Sequence, residues 1–377
     1  MKIVIAPDSF KESLTAMEVA EAIEKGMKQV LPDAEYIKIP MADGGEGTVQ
    51  SLVDATGGKM VFQTVTGPLG ERVNAFFGML GDGKTAVIEM AAASGLHLVP
   101  NEKRNPLLTM TTGTGELILA ALDHGAQHII IGIGGSATND GGAGMAKALG
   151  IKLLDETGKE IGDGGGSLNQ LAKIDCIAMD PRLKTIKIDV ACDVDNPLTG
   201  ERGASAIFGP QKGATPEMVV QLDANLGHFA EIIERDLTKK INDIAGSGAA
   251  GGLGGGLLAF LPAELKRGVD IVIEATGLAD IAADADLVIT GEGKIDRQTI
   301  YGKTPIGVAQ IAKKYGVPVI ALAGNVAEDS KIVHEHGIDA LFSIIPGIIS
   351  LENAFENAGK YVENTAANIA AVWKLNR

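Results

Sequence analysis

Cysteine and long apolar stretches are scarce in this sequence, and each shortage excludes a class of protein. The only cysteines among the 377 residues are Cys176 and Cys192, and they lack the spacing of metal ligands. No apolar stretch reaches the roughly 18 residues that a membrane-spanning helix needs. The N-terminus, MKIVIAPDSF, has neither the apolar core nor the cleavage site of a signal peptide, so we expect a cytoplasmic protein.

The sequence also lacks runs of basic residues. Its formal net charge is -15, whereas binding to nucleic acid or to an anionic membrane normally requires basic patches. We therefore expect neither nucleic acid nor a membrane among the partners. An anionic substrate would have to meet local positive charge, and assembly into a homo-oligomer stays open.

Aromatic residues make up only 4 % of the chain, whereas glycine is abundant. The 50 glycines are about 13 % of the residues where roughly 7 % is usual. They cluster at residues 132–144, 162–166 and 246–256. Such clusters are typical of loops whose backbone approaches a ligand closely or adopts positive φ angles. Flexible linkers are the alternative interpretation.

Strand and helix patterns alternate at both ends of the chain. A strand, a loop and a helix are predicted in residues 2–30 and again in residues 36–55. Further strands are predicted at 286–290, 317–323 and 340–345. Five strands that alternate with helices predict an α/β fold with a parallel, doubly wound sheet built from both chain ends.

The middle of the chain has a different pattern. Residues 60–66, 73–80 and 85–90 are closely spaced strand patterns, which we expect to pair in antiparallel fashion. Since a chain of this length with 45 % hydrophobic residues can form two cores, we predict two domains. One consists of residues 1–59 and 284–377, and the other is an α/β domain inserted between them at residues 60–283.

Two glycine motifs match nucleotide-binding patterns in residue type and spacing, but not in the strands and helices expected beside them. Residues 78–85 match the P-loop pattern, but a strand is expected after them, so Gly81-Asp82-Gly83 is interpreted as a hairpin turn. Residues 246–251 have the spacing G-x-G-x-x-G, yet they follow a charged helical stretch rather than a strand. We predict nucleotide binding by neither motif.

The segment GIGGSATNDGGAG at residues 132–144 follows a predicted strand and precedes a predicted helix. Its glycine amides and hydroxyls at a helix N-terminus make it the best candidate anion site, and a tight structural turn is the alternative. Gly132, Gly134 and Asp155 also leave open a nicotinamide-dependent hydroxy-acid dehydrogenase. The inserted Thr138-Asn139-Asp140 counts against that alternative.

Carboxylates follow several of the predicted strands. Asp8, Asp43 and Glu292 fall at the carboxyl ends of strands, where ligands gather in doubly wound sheets. Oxygen ligands of this kind suit Mg²⁺. Phosphoryl transfer also needs positive charge around the phosphate oxygens, and the same loops carry Lys11, Lys212, Lys294, Arg297 and Lys303.

Seven segments taken together resemble the bacterial glycerate kinases of the type I family. They are APDSFKESL (6–14), ADGGEGT (42–48), GIGGSATNDGGAGMA (132–146), CDVDNPLTG (192–200), FGPQKGA (208–214), GSGAAGGLGGGL (246–257) and TGEGKIDRQT (290–299). The resemblance implies transfer of the γ-phosphate of ATP to D-glycerate with the help of Mg²⁺. We favour 2-phosphoglycerate as the product over 3-phosphoglycerate. The resemblance also implies a flavodoxin-like domain built from both chain ends, an inserted mixed α/β domain, and an active site between them.

The candidate site residues receive roles as hypotheses. Asp193 or Asp296 would be the general base, and Lys11, Lys212 or Lys303 would neutralise carboxylate and phosphate charge. The proposed Mg²⁺ ligands are Asp43 and Glu46. The proposed substrate- and phosphate-binding residues are Ser9, Gly134, Gly135, Ser136, Thr138, Asn139, Asp140, Asn196, Gly291, Glu292, Lys294, Arg297 and Lys303. Outside enzymes, the alternative is a sensor that binds a sugar acid or nucleotide without turnover.

Overall fold

The structure is a computed structural model that describes residues 1–375. The chain divides into two compact units. The first unit comprises Met1–Asp43, Gln50–Gly57 and the residues from Val269 onward, and the second comprises Gly44–Val49 and Gly58–Gly268.

Strands, helices and 3₁₀ turns alternate along the described residues. The strands are β1 (Lys2–Ile5), β2 (Glu35–Lys38), β3 (Lys59–Thr66), β4 (Arg72–Met79), β5 (Thr85–Glu89), β6 (His128–Gly132), β7 (Lys152–Leu154), β8 (Lys173–Asp175), β9 (Lys187–Ala191), β10 (Ala263–Lys266), β11 (Leu287–Ile295), β12 (Val319–Val326) and β13 (Ala340–Ser343). The α-helices are α1 (Ala16–Lys28), α2 (Thr48–Thr56), α3 (Ala91–Ser94), α4 (Thr112–Asp123), α5 (Ala143–Ala148), α6 (Ala204–Phe208), α7 (Pro216–Leu237), α8 (Leu253–Phe260), α9 (Gly268–Thr276), α10 (Leu278–Ala282), α11 (Thr304–Lys314), α12 (Leu351–Glu356) and α13 (Ala358–Leu375). The 3₁₀ segments are Leu96–Leu98, Asn101–Lys103, Gly165–Gln170, Pro181–Lys184, Pro210–Lys212, Arg297–Ile300 and Glu328–His336.

The first unit contains a five-stranded sheet whose strands are all parallel. Its spatial order is β2-β1-β11-β12-β13, which is the flavodoxin-like order 2-1-3-4-5 once the strands are counted within the unit. The doubly wound sheet predicted from the two chain ends is therefore confirmed. In such a sheet the carboxyl ends of all strands lie at one edge, and the direction of winding reverses between β1 and β11.

Helix α1 covers this sheet and begins with a capping box. The Thr15 hydroxyl accepts a hydrogen bond from the Glu18 amide, and the Glu18 carboxylate accepts one from the Thr15 amide at 2.8 Å. Val19 and Ile23 on its inner face are fully buried and pack with the strand residue Ile3. The spacing of these apolar residues by three or four positions fixes the face that the helix buries.

The second unit contains a mixed six-stranded sheet of order β10-β9-β6-β5-β4-β3. Strands β3, β4 and β5 pair in antiparallel fashion, as predicted, and β5, β6, β9 and β10 pair in parallel. The turn between β4 and β5 contains Asp82, whose Oδ1 accepts hydrogen bonds from the amides of Lys84 and Thr85. The residues that match the P-loop pattern therefore form a hairpin turn, as predicted.

The glycine cluster 246–256 is tightly packed backbone, not a flexible linker. A Cβ atom on Gly251, which has φ +71°, would lie 1.9 Å from the carbonyl oxygen of Thr138. The Gly251 carbonyl also accepts a hydrogen bond from the Gly141 amide at 3.1 Å. A Cβ atom on Gly256 in α8 would meet the Gly141 carbonyl oxygen at 2.3 Å. Only glycine allows this backbone to support the loop after β6.

Among the described residues, no helix combines the length and the apolar character needed to cross a membrane.

We predict that Gly251→Ala destabilises the protein far more than an alanine at an unobstructed glycine of the same unit. Gly158 has φ +82° with open space around its Cβ position, so Gly158→Ala should cost only the strain of the left-handed backbone, about 1 kcal/mol. Gly251→Ala adds a steric overlap with Thr138 and should cost at least about 3 kcal/mol. Urea unfolding of both variants measures the difference, and equal losses would contradict the supporting role of Gly251.

Candidate active site

Three carboxylates of the first unit line one cavity of about 710 Å³. Asp8 follows β1, Asp43 follows β2, and Glu292 lies in the carboxyl-terminal half of β11. The strand order β2-β1-β11 makes the three segments neighbours at the carboxyl edge of the sheet. The cavity therefore lies at the point where doubly wound sheets bind their ligands.

Asp8 is the most perturbed of these carboxylates. Its Oδ1 accepts a hydrogen bond from the Ser9 amide at 2.7 Å, and its Oδ2 accepts one from the Thr304 hydroxyl at 2.6 Å. Burial and the neighbouring negative charges of Asp43 and Glu292 nevertheless raise its pKa to about 7. The carboxylates repel one another, so the cavity favours a bound cation.

Glu292 is held by two groups from the segment after β11. The Thr299 hydroxyl donates to its Oε1 at 2.6 Å, and the Lys303 ammonium lies 3.6 Å from its Oε2. Burial raises the pKa of Glu292, and these two partners act in the opposite direction. Lys303 lines the same cavity, so one of the predicted cations lies beside the predicted acids.

Other predicted residues of the first unit surround this cavity. Ser9, Lys11 and Lys294 line it, and the carbonyl of Gly291 accepts a hydrogen bond from the Asp8 amide at 2.8 Å. Gly291 thus helps to hold the Asp8 loop through its backbone.

Asp296 and Arg297 do not belong to the wall of this cavity. Asp296 caps the segment Arg297–Ile300 and forms an ion pair of 2.8 Å with Lys294, and this lysine lowers the pKa of Asp296. The side chain of Arg297 is exposed.

In the second unit, the loop between β6 and α5 surrounds a buried lysine. Lys212 is 1 % exposed, and its Nζ donates hydrogen bonds of 2.6 Å to the Ser136 hydroxyl and to the Thr138 carbonyl. Burial lowers the pKa of Lys212 to about 7, although the charge of Asp140 acts in the opposite direction. The structure therefore brings Lys212 together with the predicted phosphate loop.

Two buried oxygens of this loop have no hydrogen-bond partner among the described residues. They are Oγ1 of Thr138 and Oδ1 of Asn139, and both side chains are completely buried. Asn139 is oriented by its Nδ2, which donates to the Ser205 hydroxyl at 3.0 Å. Buried polar atoms without a partner are uncommon and indicate a site for water or a ligand.

Asp140 holds the loop to α5. Its carboxylate accepts hydrogen bonds from the amide and hydroxyl of Thr111 at 2.9 and 2.8 Å, and from the amides of Gly142 and Gly144 at 3.2 and 3.1 Å. Burial raises the pKa of Asp140, and these hydrogen bonds act in the opposite direction. Its oxygens are thus engaged by the protein itself.

The remaining predicted residues of the second unit lie outside the surroundings of Lys212 described above, or contribute only backbone to them. Gly134 and Gly135 form the turn after β6, and Gly135 has φ +73°. Asp193 is exposed and accepts a hydrogen bond from the Gly268 amide at 3.0 Å. Asn196 donates to the Arg202 carbonyl at 2.8 Å.

Glu46 is exposed and lies near Glu89 of the same unit. The pKa of Glu89 is raised by burial and, to a smaller degree, by the charge of Glu46. Of the two proposed Mg²⁺ ligands, Asp43 alone belongs to the first unit, and Glu46 belongs to the second.

Several residues that organise these sites carry little or no signal in the sequence. Asp8 stands out in the sequence only through its position after a strand. Thr299 and Thr304, which orient Glu292 and Asp8, resemble ordinary helix-start residues in the sequence. No sequence signal marks Thr111, because its partner Asp140 is 29 positions away.

The features expected of a dinucleotide site are missing from the loop after β6. Helix α5 has only six residues, and Asp155 is half-buried in a turn of its own. Its Oδ1 accepts hydrogen bonds from Thr157 and Lys159, and the Thr157 hydroxyl lowers its pKa. Asp155 is therefore a turn residue, and the dehydrogenase alternative loses its acidic group.

Comparison with known proteins gives a consistent result. The model of the glycerate kinase family matches residues 3–374. Glycerate kinase from Bacillus subtilis (strain 168) is 66 % identical, and the match covers 100 % of this chain and 98 % of that protein. Glycerate 2-kinase from Escherichia coli (strain K12) is 61 % identical, and the match covers 98 % of this chain and 97 % of that protein. A crystal structure described as a glycerate kinase 2 from Salmonella typhimurium LT2 has a TM-score of 0.93 and 59 % identity, covering 100 % of this chain and 99 % of that one.

We predict that Lys212 makes the stability of the protein depend on pH in a characteristic direction. Its pKa is about 7 in the folded protein and 10.5 when unperturbed, so between these values the unfolded chain binds more protons. The free energy of unfolding should therefore rise with pH from 7 to about 10.5, by up to about 1.4 kcal/mol per pH unit, and should stay level below pH 7.

The measurement is urea unfolding of the wild type and of Lys212→Met at several pH values. The difference between the two free energies removes the titration of all other groups that the two proteins share. The account predicts that this difference shifts in favour of the wild type as the pH rises above 7. A difference independent of pH would show that the buried lysine keeps its ordinary pKa.

Proposed function

Since the chain belongs to the glycerate kinase family, we propose that this enzyme transfers the γ-phosphate of ATP to D-glycerate and releases 2-phosphoglycerate and ADP. The position of the phosphate follows the relative named glycerate 2-kinase. The structural observation that supports the proposal best is the cavity of the first unit, where Asp8, Asp43, Glu292 and Lys303 meet at the carboxyl edge of the sheet. Acids and lysines in one cavity suit a phosphate group that arrives with a metal ion.

The donor set of this cavity fits Mg²⁺. Among the described residues, no group of three or more His, Cys, Asp or Glu side chains is arranged as a complete metal site. Mg²⁺ usually takes only one or two carboxylates and completes its coordination with water and phosphate oxygens. Burial and, after it, the charges of Asp43 and Glu292 raise the pKa of Asp8, and a bound cation would offset this effect. We propose Asp43 as a ligand, with Asp8 and Glu292 beside it.

Bound Mg²⁺ would offset the charge of the phosphate oxygens and hold them for in-line attack. The lysines of the cavity supply the remaining positive charge. Lys303 lies beside Glu292, and Lys11 and Lys294 are exposed in the wall, where they can contact phosphate or carboxylate oxygens. Phosphoryl transfer depends mainly on such positioning and charge, so these residues need no covalent step.

The loop after β6 supplies the second group of proposed binding residues. Ser136, Thr138 and Asn139 carry the hydroxyl and amide groups, and two of their buried oxygens have no partner among the described residues. We propose Lys212 and Asp140 as positioning residues for this loop, because their polar atoms bind the protein itself.

Asp193 and Asp296 stay the proposed general bases. Asp296 suits this role less well, since its ion pair with Lys294 lowers its pKa and engages its oxygens. A cytoplasmic location also stays a proposal, supported by the sequence alone, and assembly into a homo-oligomer stays open.

The reaction is tested by ADP release from MgATP with D-glycerate, L-glycerate, glycerol, lactate and tartronate. We expect release with D-glycerate alone. We also expect enolase to consume the product without added phosphoglycerate mutase, because enolase acts on 2-phosphoglycerate. A product that requires the mutase would be 3-phosphoglycerate and would contradict the proposed position of transfer. Binding without any turnover would favour the sensor.

The role of the carboxylate cluster is tested by Asp43→Asn. Loss of one carboxylate from the proposed metal site should lower kcat by about 10²-fold and raise the Mg²⁺ concentration needed for half-maximal rate. Asp33→Asn is the matched control, because Asp33 is an exposed aspartate of the same unit. Steady-state kinetics at varied Mg²⁺ concentration distinguish the two variants, and wild-type Mg²⁺ dependence in Asp43→Asn would remove Asp43 from the metal site.

A further inference from the structure

The cavity of the first unit is much larger than D-glycerate. Its volume of about 710 Å³ lies in the range of cavities that hold drug-sized ligands, whereas D-glycerate is a three-carbon acid. The charged residues described above account for only part of its wall. A second part is apolar and is formed by residues that follow β13, among them Ile344, Ile345, Leu351 and Phe355.

The charged and apolar parts follow the order of the strands. Asp43 follows β2, Asp8 follows β1 and Glu292 lies in β11, while Asn325 lies in β12 and Ile344 follows β13. Neighbouring strands are about 4.8 Å apart, so β1 and β13, which are three spacings apart, are separated by roughly 14 Å. This separation is comparable to the length of an extended nucleoside triphosphate.

The apolar part is only partly covered by the protein. Leu351 lines the cavity but remains 69 % exposed. Ala354 and Ala358 leave room beside it because their side chains are small. A flat aromatic ligand would cover this surface and gain the free energy of burying it.

One polar group lies between the two parts. Asn325 in β12 lines the cavity with an exposed side chain, which makes no hydrogen bond to any residue that the structure describes. A carboxamide offers both a donor and an acceptor, and this combination matches the edge of an adenine ring.

We propose that residues 344–358 form the wall that binds the adenine of ATP, and that the triphosphate extends along the carboxyl edge of the sheet toward Asp8, Asp43 and Glu292. This inference rests on the proposed function, because that function supplies ATP as the donor. It adds the location and orientation of the nucleotide in the first unit. The apolar wall excludes water from the base, and the acidic end receives the metal and the transferred phosphate.

The test uses Ala354→Phe, which fills the apolar part with a side chain that a helix accepts. Val372→Phe is the matched control, since Val372 is exposed on α13 outside the cavity. Circular dichroism and thermal unfolding establish that both variants are folded. Two ligands are then titrated calorimetrically in the presence of Mg²⁺: ADP, which has the adenine, and inorganic tripolyphosphate, which lacks it.

We expect Ala354→Phe to weaken ADP binding at least about tenfold and to leave tripolyphosphate binding within about twofold of the wild type. In turnover assays the KM for ATP should rise by a similar factor, while the KM for D-glycerate stays unchanged. The control variant should match the wild type in every measurement.

Unchanged ADP affinity in Ala354→Phe, with normal turnover of the wild type, would overturn the inference and leave the proposed function intact. Equal weakening of ADP and tripolyphosphate would also overturn it, because the adenine would then not be the group in contact with this wall. A wild type that neither binds ADP nor turns over ATP would overturn the proposed function and this inference together.

Discussion

Parallel strands place their carboxyl ends at one edge of a sheet, and the candidate site depends on this constraint. It brings Asp8, Asp43 and Glu292 from three neighbouring segments into one cavity. Burial, together with the repulsion from Asp43 and Glu292, raises the pKa of Asp8 to about 7. The Thr304 hydroxyl and the Ser9 amide offset part of this rise at Asp8, and the Thr299 hydroxyl and Lys303 act in the same direction on the pKa of Glu292. A cation would offset the mutual repulsion of these carboxylates, so the site suits a metal-bound phosphate.

In the second unit, close packing between backbone segments fixes the loop after β6. The glycines at 251 and 256 allow one chain segment to support the loop after β6 at distances that any side chain would prevent. Lys212 then fixes this loop from the inside through Ser136 and Thr138. A buried ammonium costs free energy, and its presence here is consistent with a loop whose conformation matters for function.

Elements that are stabilised by contacts between residues close in sequence could be predicted from the sequence. The capping box at Thr15 starts α1, and Asp82 with its glycine neighbours closes the hairpin, because the interacting residues are close in sequence. Helix α8 could not be predicted, since its three consecutive glycines disfavour a helix, and only close contacts such as those of Gly254 with Gly246 and of Gly256 with Gly141 explain them. Strand β11 extends to Ile295, beyond its predicted end, because it pairs with β12 about thirty residues away.

The composition of the candidate site stays a prediction, and the structure adds the contacts of its residues. The sequence can propose the acids and lysines of the strand-end loops by type and position, since the topology rule requires only the strand order. The burial of Lys212 could not be predicted, because lysine is almost always exposed. The contact of Asp140 with Thr111 likewise depends on a distance in space, whereas Asp296 pairs with Lys294, only two positions away.

The central claim is that the carboxyl edge of the parallel sheet holds the metal-bound phosphates of the nucleotide. A crystal structure of the protein with Mg²⁺ and a non-hydrolysable ATP analogue tests it most directly. The account predicts electron density for the metal and the terminal phosphates beside Asp8, Asp43 and Glu292. Density for the nucleotide elsewhere, with these carboxylates in contact with neither metal nor phosphate, would contradict it.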